Sequence, residues 1–143
     1  MNVDSTAPAV ARREILIHAP VEKVWRIQAD IEHWPAWQPD IAVAKLDGDL
    51  IAGATFRWKV QGLTIISRLH TVEPLHRLGW TGVALGMRAI HNWRFEARGD
   101  ATLVVTEESL SGWLTRLMLL FDPHFLETSL AAALQRLKNQ AEA

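Results

Sequence analysis

The sequence predicts a single α+β domain in which a curved antiparallel sheet packs against a long C-terminal helix. Two short helical segments broken by proline, residues 20–37, hold Trp25, Trp34 and Trp37 out of seven tryptophans. Residues 41–109 follow a hydrophobic period of two, punctuated by turn residues roughly every eight to twelve positions. After Ser109 the period becomes helical and stays so to the end.

Residues 1 to about 10 lack periodicity and read as a loose tail. Residues 12–18 alternate, with Ile15 and Ile17 on one face, and form the first strand. Pro20 suits the first helical position, where its missing N–H would be unpaired anyway. Val21, Val24, Trp25 and Gln28 follow at helical spacing. Asp30 is placed to cap a second short helix, which Pro35 is expected to end by excluding the helical conformation at Trp34.

Six further strands are predicted at about 41–46, 54–60, 63–73, 77–84, 88–97 and 102–109. The turn signals between them are Asp47-Gly48-Asp49, Gln61-Gly62, Glu73-Pro74, Gly86 and Gly99-Asp100. Connections this short require antiparallel neighbours. Trp113, Leu117, Leu120 and Phe121 then share a helical face. After the break at Asp122-Pro123, which reads as a cap and first helical residue, Leu126, Leu130, Leu134 and Leu137 continue a stripe over about 123–141.

Composition removes several functions. At 143 residues and 49% hydrophobic, the chain suits one domain spanning 1–143 with a substantial core. Fifteen basic against sixteen acidic residues, with no basic run, give no footprint for nucleic acid. The absence of cysteine excludes disulfides, thiolate metal sites and cysteine nucleophiles, and suits a reducing compartment. Residues 1–11 do not resemble a secretory signal. The longest apolar run, 117–121, is far short of the roughly 20 residues of a spanning helix. These features predict a soluble, cytoplasmic protein without integral membrane contact, leaving peripheral contact and oligomeric state open.

Particular segments resemble the helix-grip superfamily that contains START domains, the birch-pollen allergen group and polyketide cyclase/dehydrase-like (SRPBCC) proteins. They are Ile15-Leu16-Ile17-His18-Ala19-Pro20-Val21-Glu22-Lys23-Val24-Trp25 and Trp34-Pro35-Ala36-Trp37-Gln38-Pro39-Asp40-Ile41, followed by Thr71-Val72-Glu73-Pro74, Leu78-Gly79-Trp80-Thr81-Gly82 and His91-Asn92-Trp93-Arg94-Phe95. The likeness extends over about residues 12–141 and is closest to the bacterial cyclase-like subgroup. It implies a seven-stranded sheet gripping the terminal helix, with a cavity between them near the two short helices that holds a hydrophobic or amphipathic small molecule. It does not assign a reaction.

Alternation along the strands gives an independent estimate of what faces that cavity. Phe56, Trp58 and Val60 oppose Thr55, Arg57 and Lys59, so the apolar set turns inward. By the same reasoning Ile65, Ser67, Leu69 and Thr71 face inward, as do Leu78, Trp80, Gly82 and Ala84, and then His91, Trp93 and Phe95. A bulge would reverse part of the third strand. In the last strand Leu103 and Val105 carry Glu107 and Ser109 inward, leaving Thr102, Val104, Thr106 and Glu108 outside. Asp40, Arg68 and His70 read as surface groups.

The expected ligand wall therefore comprises Phe56, Trp58, Ser67, Leu69, Trp80, Trp93 and Phe95, with Trp34 and Trp37 at the mouth and Trp113, Leu117 and Phe121 as core or lid. Apolar walls with sparse polar groups suit a small-molecule pocket. Flat, fused-ring or acyl ligands are expected to fit it. His91 and Glu107 form the predicted inward acid/base pair. Nucleophile-elbow, phosphate-loop and dinucleotide patterns are missing, and the six histidines lack metal-ligand spacing, so neither cofactor nor metal is expected. The leading reading is binding, carriage or sensing of a hydrophobic small molecule such as a lipid, polyketide or aromatic compound. The alternative is a cyclase, aromatase or dehydratase in which His91 and Glu107 move protons.

Overall fold

The computed structural model describes residues 1–143. Strand β1 (Ala9–Ile17) leads into helix α1 (Val21–Ala29), a 3₁₀ turn (Ile31–His33) and the single-turn helix α2 (Trp34–Trp37). Six strands follow: β2 (Ile41–Leu46), β3 (Thr55–Val60), β4 (Leu63–Glu73), β5 (Arg77–Ala84), β6 (Met87–Arg98) and β7 (Ala101–Ser111). Helices α3 (Trp113–Phe121) and α4 (Phe125–Glu142) close the chain. The strands form one seven-stranded antiparallel sheet in the order β1-β7-β6-β5-β4-β3-β2. This is the helix-grip layout expected from the sequence.

Helix α4 buries Leu126, Leu130, Leu134, Leu137 and Ala141, a stripe that repeats every three or four residues as an amphipathic helix requires. Its C-terminal end is tied to β1: Lys138 Nζ donates to the Leu16 carbonyl at 2.9 Å, and the Glu142 carboxylate accepts from the His18 N–H at 2.8 Å. These clamps hold one end of the helix against the sheet. At the other end α3 meets α4 at 89°.

Local chemistry shifts some boundaries. Pro20 caps α1 in extended conformation, its carbonyl accepting from Lys23 and Val24, and the helix proper begins at Val21. Pro35 does not end a helix. It occupies the first turn of α2, where a missing N–H leaves nothing unpaired. The cap and first-residue roles expected of Asp122-Pro123 fall elsewhere: α4 starts at Phe125 with His124 before it, and Asp122 instead accepts from the His124 N–H at 3.1 Å in the turn that precedes the helix.

The N-terminal segment is docked rather than loose. Asp4 N–H donates to Ser109 Oγ at 3.0 Å, Asn92 Nδ2 donates to the Met1 carbonyl at 2.8 Å, and β1 begins at Ala9. These bonds lie on the sheet face opposite the helices. They explain why Val105 and Ser109 are buried although they point away from the core.

Two bulges reset the register, between Ile41 and Val43 in β2 and between Leu69 and Thr71 in β4. The second puts His70 and Thr71 together on the outer face and returns Val72 inward opposite Leu78, so the inward placement expected for Thr71 is corrected. The extra residue is what reverses the alternation.

Candidate functional site

Strand β7 faces the core through Thr102, Val104, Thr106 and Glu108, the reverse of the alternation read from the sequence. The pairs Trp93 with Thr106, His91 with Glu108 and Phe95 with Val104 fix this register. Hydroxyl chemistry explains the reversal. Thr102 Oγ1 donates to the Ala19 carbonyl at 2.8 Å and Thr106 Oγ1 to the Asn92 carbonyl at 3.1 Å, so both threonines are buried with their polar atoms satisfied.

Glu107 accordingly lies on the outer face, where it accepts from Asn92 Nδ2 at 3.3 Å. Its predicted pairing with His91 is corrected: the carboxylate beside His91 belongs to Glu108, Oε2 standing 3.4 Å from Nδ1. The other ring nitrogen, Nε2, lies 2.8 Å from Thr106 Oγ1. Because the threonine proton is committed to the Asn92 carbonyl, Nε2 must carry the hydrogen and donate it. Nδ1 is then the free acceptor that faces Glu108.

Burial pushes His91 down to about 3 and Glu108 up to about 8. Each group resists charging where water is excluded. At neutral pH the dissociable proton therefore rests on the Glu108 carboxyl, placed toward His91 Nδ1. The pair is uncharged and holds a proton that a ligand atom could accept.

These groups line a cavity of about 120 Å³ between the sheet and α4. Trp34, Trp58, Trp80 and Trp93 supply its aromatic wall, and Leu130 and Ala133 of α4 its cover. Trp34 is only 1% exposed and stands at the centre of the cluster, with ring centroids 5.6 Å from Phe56, 5.3 Å from Trp58 and 5.5 Å from Trp80. Its Nε1 donates to the Gln28 carbonyl at 3.0 Å. At the mouth, Arg136 of α4 and Asp40 before β2 form an ion pair at 2.9 Å.

Two polar atoms on the wall have no partner: Gln28 Oε1 and Trp93 Nε1, on residues that are 2% and 4% exposed. One is an acceptor, the other a donor. An unpaired buried group of this kind costs about 1–3 kcal/mol, and natural structures hold few of them.

Of the residues expected at the ligand wall, Trp34, Trp58, Trp80 and Trp93 line the cavity, together with His91. Phe56, Leu69 and Phe95 lie in the buried core behind it, and Trp37 packs half-buried against that core. Ser67 is buried as acceptor for Trp58 Nε1 at 3.0 Å, which occupies its hydroxyl. Trp113, Leu117 and Phe121 are corrected in position: α3 exposes all three at the surface, and the core face of the sheet is covered by α4 together with α1, the 3₁₀ turn and α2. Gln28, Glu108, Asp40 and Arg136 escaped the sequence reading. The helical spacing of Gln28 behind Val24 and Trp25 was the available signal, since it puts the amide on the buried face of α1.

Residues 8–142 match the family described as polyketide cyclase / dehydrase and lipid transport. The chain belongs to this family. No curated protein matches the sequence closely. Among solved structures, a hypothetical protein of Helicobacter pylori superposes with a TM-score of 0.85 at 19% identity, covering 96% of this chain and 90% of the other. The Zhui aromatase/cyclase of a Streptomyces species gives 0.80 at 18%, covering 94% and 93%. A START superfamily protein of Mycobacterium smegmatis gives 0.78 at 16%, covering 93% and 97%. At these identities the likeness speaks for the fold. The cyclase/dehydrase-like family places this chain among proteins with a hydrophobic ligand-binding fold, and it contains no single helix long and apolar enough to cross a membrane.

Proposed function

We propose that the protein binds a compact, uncharged, ring-sized molecule in the cavity, for carriage or sensing, with one end oriented by Gln28, Trp93 and the His91–Glu108 pair. The observation that carries this reading is the unpartnered acceptor and donor on the wall of one aromatic cavity. A ligand bringing a matching donor and acceptor recovers what burial of Gln28 Oε1 and Trp93 Nε1 costs. Size supports the same class. An apolar cavity of about 150 Å³ holds benzene, so about 120 Å³ suits one ring and not the fused-ring or acyl ligand expected from the sequence. A longer molecule requires α4 to part from β2, breaking the Asp40–Arg136 pair.

Tryptophan fluorescence tests this directly, since four indoles line the site. Phenol, which donates and accepts, is expected to bind more tightly than benzene, and benzoate least, because the cation beside the cavity, Arg136, is already paired with Asp40. Gln28→Leu should erase the preference for phenol over benzene. Benzoate binding as well as phenol defeats the proposal.

The approach of His91 to Glu108 favours a second reading, an enzyme of cyclase or dehydratase type. Glu108 would protonate a ligand carbonyl as general acid, and His91 Nδ1 would then receive a proton from the adjacent carbon. Glu108→Gln should abolish turnover of a candidate substrate while changing its affinity only a few-fold. Retained turnover removes the acid/base role.

A further inference from the structure

The outer face of the sheet holds a second, unrelated cleft, of about 300 Å³. The β4 bulge builds it. His70 and Thr71 stand side by side there, Nδ1 to Oγ1 at 2.8 Å, and the imidazole lies over Gly79. A Cβ on Gly79 would come within 2.9 Å of His70 Nε2 and 2.8 Å of Asn92 Oδ1, so only glycine leaves the floor open. Those two atoms have no hydrogen-bond partner.

Beside this floor, Arg77 and Arg94 are directly opposed on β5 and β6. Like charges on directly opposed residues, whose Cβ atoms stand about 5 Å apart, disfavour the pairing. Neither guanidinium takes part in any of the structure's ion pairs. Glu73 stands directly opposite Arg77 on β4, without closing to an ion pair, and Glu107, engaged with Asn92, also lines the cleft. Arg12 lies on the far side, reaching Glu14 at 3.4 Å. Two unpaired arginines over an open glycine floor thus remain.

We propose that this cleft binds a tetrahedral oxyanion, the phosphate group of a phosphate monoester, bridged between Arg77 and Arg94 above Gly79. Planar guanidinium forks match phosphate oxygens, and a tetrahedral group offers oxygens to two forks at once, whereas a carboxylate is served by one. The anion relieves the arginine repulsion. The group could belong to a soluble metabolite or to a phosphatidic acid headgroup, since both present the same chemistry.

The test uses the whole chain, labelled with ¹⁵N, titrated with phenyl phosphate against chloride at equal ionic strength. Saturable shifts are expected at the Gly79, Arg77 and Arg94 amides, with affinity reduced about tenfold in Arg94→Gln, as fits the loss of a charge-assisted bond. Recruitment to vesicles containing phosphatidic acid, lost in Arg77→Gln/Arg94→Gln, identifies the headgroup as the source. Saturation by phenyl phosphate without recruitment identifies a soluble one. Shifts that do not saturate, or that persist in the double variant, overturn the site. A structural role is separated by melting: without phosphate, Arg94→Gln should raise Tm by about 1–3 °C as the repulsion disappears. A lowered Tm overturns the proposal, because the arginine would then be serving the fold. Phenol binding in the inner cavity is expected to be unchanged in both variants.

Discussion

His91 and Glu108 meet across β6 and β7 with Nδ1 3.4 Å from Oε2, and burial drives their proton affinities in opposite directions. In the unfolded chain the carboxyl titrates near 4.5 and the imidazole near 6.5. From about pH 3 to 4.5 the unfolded state binds one more proton, on His91, so stability rises with pH. From 4.5 to 6.5 the counts balance, because the unfolded state holds one proton on His91 and the folded state one on Glu108. From 6.5 to about 8 the folded state holds the extra proton, on Glu108, and stability falls. Glu108→Gln copies the protonated carboxyl without titrating. Because the His91 contribution is common to both proteins, its stability relative to the parent protein should therefore improve from about pH 4.5 to 8, as read by urea unfolding at several pH values. An unchanging difference over that range would show that Glu108 is not held protonated.

Trp34 joins α2 to the aromatic wall through Phe56, Trp58 and Trp80. Trp34→Ala should cost about 3–5 kcal/mol, as large-to-small changes at fully buried aromatic positions do. The same change enlarges the cavity, so naphthalene-sized ligands should gain affinity relative to phenol. Denaturant melts and fluorescence competition measure the two effects separately. A loss below about 1 kcal/mol would mean that Trp34 does not anchor the wall.

How far the sequence speaks is visible in β7. Helical stripes and turn glycines mark the elements well because periodicity and backbone conformation are local properties, and the leucine ladder of α4 is an example. Side-chain direction in β7 is not local. Thr102 and Thr106 look like solvent residues, but the Ala19 and Asn92 carbonyls that satisfy them come from distant strands or loops. Val105 looks like core, but it is buried on the outer face near a docked N-terminal segment whose contacts no period reveals. One strand read in the wrong phase moves the carboxylate of the pair by a single residue, from 108 to 107. His91 was legible because β6 alternates plainly between Trp93, Phe95 and charged neighbours.

Gly79 and His70 should be coupled. Gly79→Ala drives a methyl into the His70 ring and the side-chain oxygen Oδ1 of Asn92, with a cost of about 1–3 kcal/mol typical of overpacking. His70→Ala removes the main obstacle, so the double variant should recover more than half of that loss. A double-mutant cycle by thermal or urea unfolding reads the coupling. Additive effects would show that the β4 bulge does not hold the imidazole over Gly79.

On α3 the expectation is tolerance. Leu120 and Phe121 are 80% and 84% exposed, and changes away from packed sites stay within about 0.5 kcal/mol. Phe121→Ser should leave the urea midpoint unchanged and phenol affinity intact. Its loss of either would place the helix over the cavity, as a lid that closes when ligand is bound.

Thr106→Val isolates the proton relay, because valine keeps the shape and deletes the hydroxyl. His91 Nε2–H then loses its acceptor and the Asn92 carbonyl its side-chain donor, a buried loss of about 1–3 kcal/mol. The imidazole can reduce that cost by moving its hydrogen to Nδ1, toward Glu108, whose carboxylate form would then accept it. Long-range ¹H–¹⁵N spectra should show Nε2–H in the parent protein and a population of Nδ1–H in the variant. The carboxyl of Glu108 should titrate lower in the variant than its value of about 8, because its charged form has gained a donor. An Nδ1–H ring in the parent protein would reverse the hydrogen-bond direction assigned from Thr106, and with it the position of the proton offered to the cavity.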